Sequence, residues 1–342
     1  MKRGESMDID LLKRLGNMDQ IAGIREMEYT CGNEKGLGAI EVYNAAGLRF
    51  TVIPDRCMDI YDCSFKGCNL SFHSKNGLSG LRDSAEDEFF HQWPGGMLFT
   101  SGLANVGNAC IDGGVHPIHG RIGSTPARHV SAKEGWENND YILSVSGEVW
   151  ETRLYGRQIS LFRTISTSLY SKTITITDTV TNHGSGEEEY MLLYHMNFGY
   201  PLLDASSMVV SSADSIQPRN EHSVDYIHMN APDAKPSHQT FLHTMGGSQA
   251  RAGVINESLC LAAYIEFETK NLPYLNEWKN LAGHDYVVAL EPANCTVLGR
   301  IKERDNGTLK TFPPYSSITN TILFGILDDK AEIEAFKQTC GQ

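Results

Sequence analysis

Through ISLFRTISTSLYSKTITITDTVTN (159–182), apolar and polar positions alternate: Ile174, Ile176 and Val180 are separated by threonines. A period of two with β-branched residues predicts strands with one buried face, and a turn near Ser171–Lys172 makes the segment a hairpin. GAIEVYNAAGLRFTVIP reads as two strands joined at Asn44–Gly47, and YILSVSGEVWE (141–151) as another. EYMLLYHMNF, SLCLAAYIEFET, DYVVALEP and SITNTILFGIL follow, with Gly, Pro and Asn as punctuation between strands.

Helical patterning is scarce. Residues 8–28 mix apolar and charged positions at helical spacing up to Gln20, so 1–28 is expected to form an N-terminal helical extension. Part of 76–92 and the tail DDKAEIEAFKQ are the other helix candidates. Regular strand–helix alternation is missing, which disfavours doubly wound and TIM-barrel folds. The expectation is an all-β fold, a large antiparallel sandwich with short peripheral helices, in which 29–342 form a single domain.

Bulk properties narrow the function classes. The 342 residues suffice for one large β domain with an ample core. A net charge of −13, with no run of Lys or Arg, argues against nucleic-acid binding and favours a small, weakly charged ligand. The eight cysteines form no CxxC pair and no zinc-ligand set. The N-terminal stretch lacks an apolar signal core, and no run of eighteen apolar residues occurs, so neither export nor a membrane span is expected. A cytoplasmic protein with reduced thiols is the simplest expectation.

A few polar residues sit where a strand pattern would not put them. His195 ends the apolar run YMLLYH before a Gly/Pro loop, and Glu291 follows the apolar run YVVAL. Strand ends feeding loops collect binding groups, and a carboxylate there is open to desolvation. Each also has a bland reading, as a satisfied structural histidine and a solvated turn residue. His116 and His119 are three apart, which suits neither HExxH spacing nor one strand face. Asp55, Arg56 and Asp59 interrupt another strand-like run, where a local ion pair is the plain explanation. A histidine acid and a glutamate base form a standard proton-transfer pair. No phosphate-gripping loop is visible, since GNEKGLGAI lacks the GxxxxGK[ST] pattern.

The segments GLRFTVIPDRCMDI, WPGGMLFTSGLANVG, HGRIGSTPA, YHMNFGYPLLD, LPYLNEW and LEPAN, in this order, span most of the chain. Together they resemble the aldose 1-epimerase (galactose mutarotase-like) superfamily, and within it a subgroup of uncharacterised bacterial proteins. The resemblance implies a β supersandwich with a sugar in an open cleft and no cofactor or metal. It implies His195 as general acid and Glu291 as general base. His119 is implied as an orienting histidine and Arg56 as the arginine gripping sugar hydroxyls. Arg121 and Asn197 fall in the matched segments and are grouped with the sugar-binding residues. Gln239, in SHQTFLH, stands in for the family's sugar-contacting aspartate. Trp278 and Trp93 are candidate platforms for the sugar's C–H face, and His116 and His129 are bystanders. The implied activity is anomer interconversion by acid/base ring opening, with His195 and Glu291 near opposite sides of the substrate. A non-catalytic sugar-binding module of the same fold is the alternative. A metal-dependent hydrolase using His116, His119 and His195 is a third reading. The expected partner is a small sugar, without nucleic acid or membrane, and a homodimer is left open.

Overall fold

The computed structural model describes residues 9–80, 88–236 and 238–341. A short helix α1 (Ile9–Leu12) and a 3-10 turn (Met18–Gln20) precede a five-strand meander: β1 (Gly23–Glu28), β2 (Gly38–Tyr43), β3 (Leu48–Ile53), β4 (Asp59–Phe65) and β5 (Cys68–Asn69). After α2 (Glu88–Gln92) come β6 (Leu98–Leu103) and a small hairpin, β7 (Cys110–Ile111) and β8 (Val115–His116). A second meander follows: β9 (Arg128–Glu137), β10 (Asp140–Thr152), β11 (Gln158–Ser168) and β12 (Thr173–Asn182). Next are β13 (Glu188–Phe198), β14 (Ser207–Ser211), β15 (Ser215–Pro218), β16 (Gln239–Thr244), β17 (Gln249–Asn256) and β18 (Leu261–Glu268). The chain closes with β19 (Tyr274–Ala282), β20 (Asp285–Ala293), α3 (Arg300–Asp305), β21 (Lys310–Phe312), β22 (Ser316–Leu327) and α4 (Lys330–Thr339).

All the strand pairings are antiparallel, and two large sheets dominate. One has the order β14-β17-β18-β22-β12-β11-β10-β9; the other runs β15-β16-β19-β20-β13-β21, with β6 also paired to β13. The hairpin predicted around Ser171–Lys172 is β11–β12, and the Asn44–Gly47 joint separates β2 from β3. On β12, Ile174, Ile176 and Val180 are fully buried, while the threonines between them are half-buried on the outer face. One continuous apolar cluster joins all three larger sheets, through Val52, Val145, Ile176, Met196 and Leu290 among others.

One expectation is corrected. The last part of the expected 1–28 helical extension is strand: 23–28 form β1, paired along its length with β2 from Gly23↔Tyr43 to Glu28↔Gly38. The local pattern of GIREME is ambiguous, and the neighbouring strand edge decides it, since a strand gains ladder hydrogen bonds that a lone helical turn lacks. Residues 1–8 lie outside the described residues, as do 81–87 of the second helix candidate; its end, 88–92, is α2. No helix among the described residues is long and apolar enough to cross a membrane.

β13 and β20 differ from β12: almost every position is buried on both faces. One face packs into the sandwich. Part of the other floors a cleft, covered by chain from outside the sheet.

Candidate functional site

The cleft has a volume of about 590 Å³. Its floor follows from register. Asn197 pairs with Ala289 and Met196 with Leu290 across β13–β20; Asn276 pairs with Glu291 and Trp278 with Ala289 across β20–β19; Thr240 pairs with Trp278 across β19–β16. Alternation therefore places His195, Asn197, Glu291, Trp278, Asn280 and Thr240 on one face of the sheet. The segments carrying Phe72, Phe89, Trp93, Asn108 and His119 close over that face.

His195 and Glu291 meet. Nε2 of His195 lies 3.0 Å from Oε1 of Glu291, and both side chains are almost fully buried. On the other side of the ring, Nδ1 of His195 is 2.6 Å from Oδ1 of Asn197. The Asn197 amide has one consistent orientation, because its Nδ2 donates to the carbonyls of Gly96 (2.9 Å) and His195 (3.0 Å). Its oxygen must therefore accept, and His195 Nδ1 must carry hydrogen. Two acceptors cannot share the Nε2–Oε1 contact, so that contact holds a second proton, shared by an imidazole and a carboxylate. Asn197 thus does not line the cleft, as expected of a sugar ligand; it fixes the tautomer of the histidine that does.

Aromatic rings surround the pair. Trp93, Trp278 and His119 have ring centroids 5.5, 5.8 and 5.7 Å from that of His195. Phe89 stacks on His119 at 5.5 Å. His119 adopts φ 56°, in the left-handed region, and Gly120 follows at φ 75°. Backbone bonds hold the turn: His119 N–H donates to the Gly107 carbonyl, and the His119 carbonyl accepts from Gly102 N–H, each at 2.9 Å. Burial, assisted by the charge of His195, pushes the His119 imidazole down to about 3, so it faces the cleft neutral at pH 7. At the mouth, Lys75 pairs with Asp285 at 2.8 Å.

The structure brings together His195, Glu291, His119, Trp278 and Trp93 in one cleft, with Asn197 bonded behind His195, and it parts Arg56, Arg121 and Gln239 from them. Arg56 is buried, bonds the carbonyl of Ser79 and, at 3.0 Å, the Ser124 hydroxyl, and lines a separate narrow void with Tyr61 and Leu78. The Ser79 carbonyl and the Ser124 hydroxyl thus engage this guanidinium away from the cleft. Arg121 donates to the Val115 carbonyl and lines a different cleft, as does His116. Gln239 pairs with Lys279, on the sheet face opposite Trp278, and accepts from Val224 N–H. His129 is exposed at the start of β9. The three-histidine metal reading fails with His116 elsewhere; no cluster of three metal-ligating side chains occurs among the described residues.

Sequence reasoning missed His238, which lines the cleft, stacks on Trp278 with an interplanar angle of 16° and accepts from its indole N–H at 3.2 Å. The signal was present in SHQTFLH: His238 and Gln239 are adjacent, so only one of them can face the cleft. A second contact of the same type, His243 Nε2 to Glu277 Oε2 at 2.9 Å with Ser211 at Nδ1, is a decoy. It lies on the core face with zero exposure at His243 and Glu277, and neither residue lines the cleft.

Comparison with known proteins agrees with this architecture. A crystal structure from Klebsiella pneumoniae, of a "putative aldose 1-epimerase", superposes with TM-score 0.88 at 22% identity, covering 95% of this chain and 90% of that one. A galactose mutarotase-like protein from Clostridium acetobutylicum gives 0.62 at 15% identity, over 90% and 99%. Galactose 1-epimerase from Lactobacillus acidophilus gives 0.57 at 14% identity, over 89% and 98%. No curated protein matches by sequence. Residues 34–326 match the family described as "Domain of unknown function (DUF4432)". The chain therefore belongs to the DUF4432 family, and its fold is the galactose mutarotase-like β-sandwich.

Proposed function

We propose that the protein is a cofactor-independent carbohydrate isomerase of the aldose 1-epimerase type. The observation that carries the proposal is the His195–Glu291 contact at 3.0 Å in the floor of an aromatic-walled cleft. Adjacent acid and base suit a cyclic hemiacetal, whose anomeric hydroxyl and ring oxygen are bonded to the same carbon. Groups on opposite sides of the ring, as expected from sequence, are not required. On binding, the sugar takes over the bond that the two residues make with each other.

Glu291 accepts the proton of the anomeric hydroxyl as that oxygen becomes a carbonyl. The bond from the anomeric carbon to the ring oxygen breaks, and the ring oxygen takes the proton from His195 Nε2. His195 is left as the neutral Nδ1–H tautomer that Asn197 already holds. Rotation about the adjacent carbon–carbon bond presents the other carbonyl face, and the two transfers reverse. The aromatic walls offer a sugar's C–H faces an apolar surface and exclude water.

Polarimetry or saturation-transfer NMR on a panel of aldoses tests the proposal. Wild type accelerates anomer exchange for at least one sugar, and Glu291→Gln and His195→Asn each lose about 10²–10⁴-fold while remaining folded. Sugar binding with no acceleration by wild type would identify a binding module instead.

A further inference from the structure

A second cleft, of about 560 Å³, shares no lining residue with the first. Its walls are the β7–β8 hairpin, the turn between β10 and β11, and Arg300 of α3. In a chain of net charge −13, this wall gathers arginines. Several are neutralised locally. Asp112 binds Arg300 at 2.6 Å and Arg304 at 2.7 Å, and these arginines hold its carboxyl down to about 2. Glu151 binds Arg157 at 2.6 Å and the backbone N–H of Leu103 at 2.9 Å, and Glu188 lies 3.7 Å from Arg157.

Arg121 and Arg153 are different: neither has a carboxylate partner among the described residues. Arg121 donates one N–H to the Val115 carbonyl at 2.9 Å, and Arg153 one to the Gly113 carbonyl at 2.8 Å. These two carbonyls are two residues apart in one tight turn, closed by the Asp112 N–H to Gly114 carbonyl bond. The turn therefore anchors, on the lining of one cleft, two guanidiniums from separate parts of the chain. Gly114 makes this approach feasible, because a Cβ there would sit 2.9 Å from the Arg153 guanidinium. Each guanidinium keeps its remaining donors for another acceptor. Val115 lines the cleft beside them, and Ile111, Leu154 and Tyr155 are exposed on the same hairpin and turn.

We propose that this second cleft binds a small anion, a molecule bearing a phosphate or carboxylate group, gripped by Arg121 and Arg153. Paired guanidiniums match the oxygens of such groups through charge-assisted, bidentate bonds. The inference stands apart from the isomerase reading, since none of its residues faces His195.

Calorimetric titration of the intact chain with inorganic phosphate and with malonate, at low ionic strength, is the test. Saturable binding of one of them is expected, weakened by added NaCl as screening requires. The tighter ligand identifies the oxyanion class. Arg121→Gln/Arg153→Gln should weaken it at least about tenfold with unchanged unfolding temperature and unchanged anomer exchange. Should the double variant not fold, Arg153→Gln alone, on an exposed turn, carries the same test. Absence of saturable binding to wild type, or equal affinity in the Gln variants, overturns the proposal; equal affinity would place the anion elsewhere, the first cleft included.

Discussion

Asn197 shows how much one amide can decide. Its two N–H groups are committed to main-chain carbonyls, so its oxygen faces His195 and dictates which ring nitrogen carries hydrogen. Without that acceptor the neutral ring is free to adopt the other tautomer, Nε2–H with a bare Nδ1, which cannot take a proton back at Nε2 when the sugar ring closes. Asn197→Ala is expected to lower kcat about tenfold or more with little change in KM, because the residue does not touch the sugar. Asn197→Asp makes a sharper test. A carboxylate beside Nδ1 favours the imidazolium, so the proton on His195 persists to higher pH and the alkaline limb of the kcat profile should move upward. An unmoved limb would remove Asn197 from the tautomer argument. The 15N shifts of the His195 ring report the same tautomer without any substrate.

Among the elements, the turn after β8 does the most unusual work. His119 reaches the cleft only because it and Gly120 both take positive φ, and the bend is tied to β6 through Gly102 and to the loop after it through Gly107. No side chain is tolerated at Gly120: a Cβ would lie 2.0 Å from the Gly102 carbonyl oxygen and 2.7 Å from that of Asn105. Gly120→Ala should therefore cost about 2 kcal/mol or more and displace His119. Urea unfolding measures the first effect. Loss of sugar affinity in whatever fraction remains folded measures the second. β13 is the other decisive element. It is buried on both faces between β6 and β20, which makes it a rigid base for His195.

At the scale of the molecule, one buried ion network ties the sheets together. Arg163 on β11 binds both oxygens of Asp178 on β12, at 2.8 and 2.6 Å, and reaches across to Asp59 on β4 at 2.7 Å. Asp59 in turn accepts from the backbone N–H and hydroxyl of Thr100 on β6. All four residues are buried. The network joins the five-stranded sheet, the eight-stranded sheet and the strand beside His195. Arg163→Met would strand two carboxylates in the core, with an expected loss of about 3–5 kcal/mol by urea or thermal unfolding. A loss near zero would mean that the carboxylates are neutral without their arginine. In the sequence Asp55–Arg56 reads as a local ion pair, while Asp59, in the same run, belongs to this buried network.

The amino-acid sequence by itself determined the strands, since a two-residue period with β-branched side chains reports local burial directly, and their antiparallel layering followed from the lack of helical crossovers. It also singled out His195 and Glu291, polar groups embedded in apolar runs where only a site or a structural pair would keep them. Which face of each strand the loops cover was not written in any local pattern. That depends on chain brought from distant parts of the sequence over β13, β19 and β20, so His238 entered the cleft where Gln239 was expected. Arg56 and Arg121 went elsewhere for the same reason. A guanidinium takes whichever carbonyl oxygens the packed backbone leaves within reach, and those positions exist only once the sheets have closed on one another.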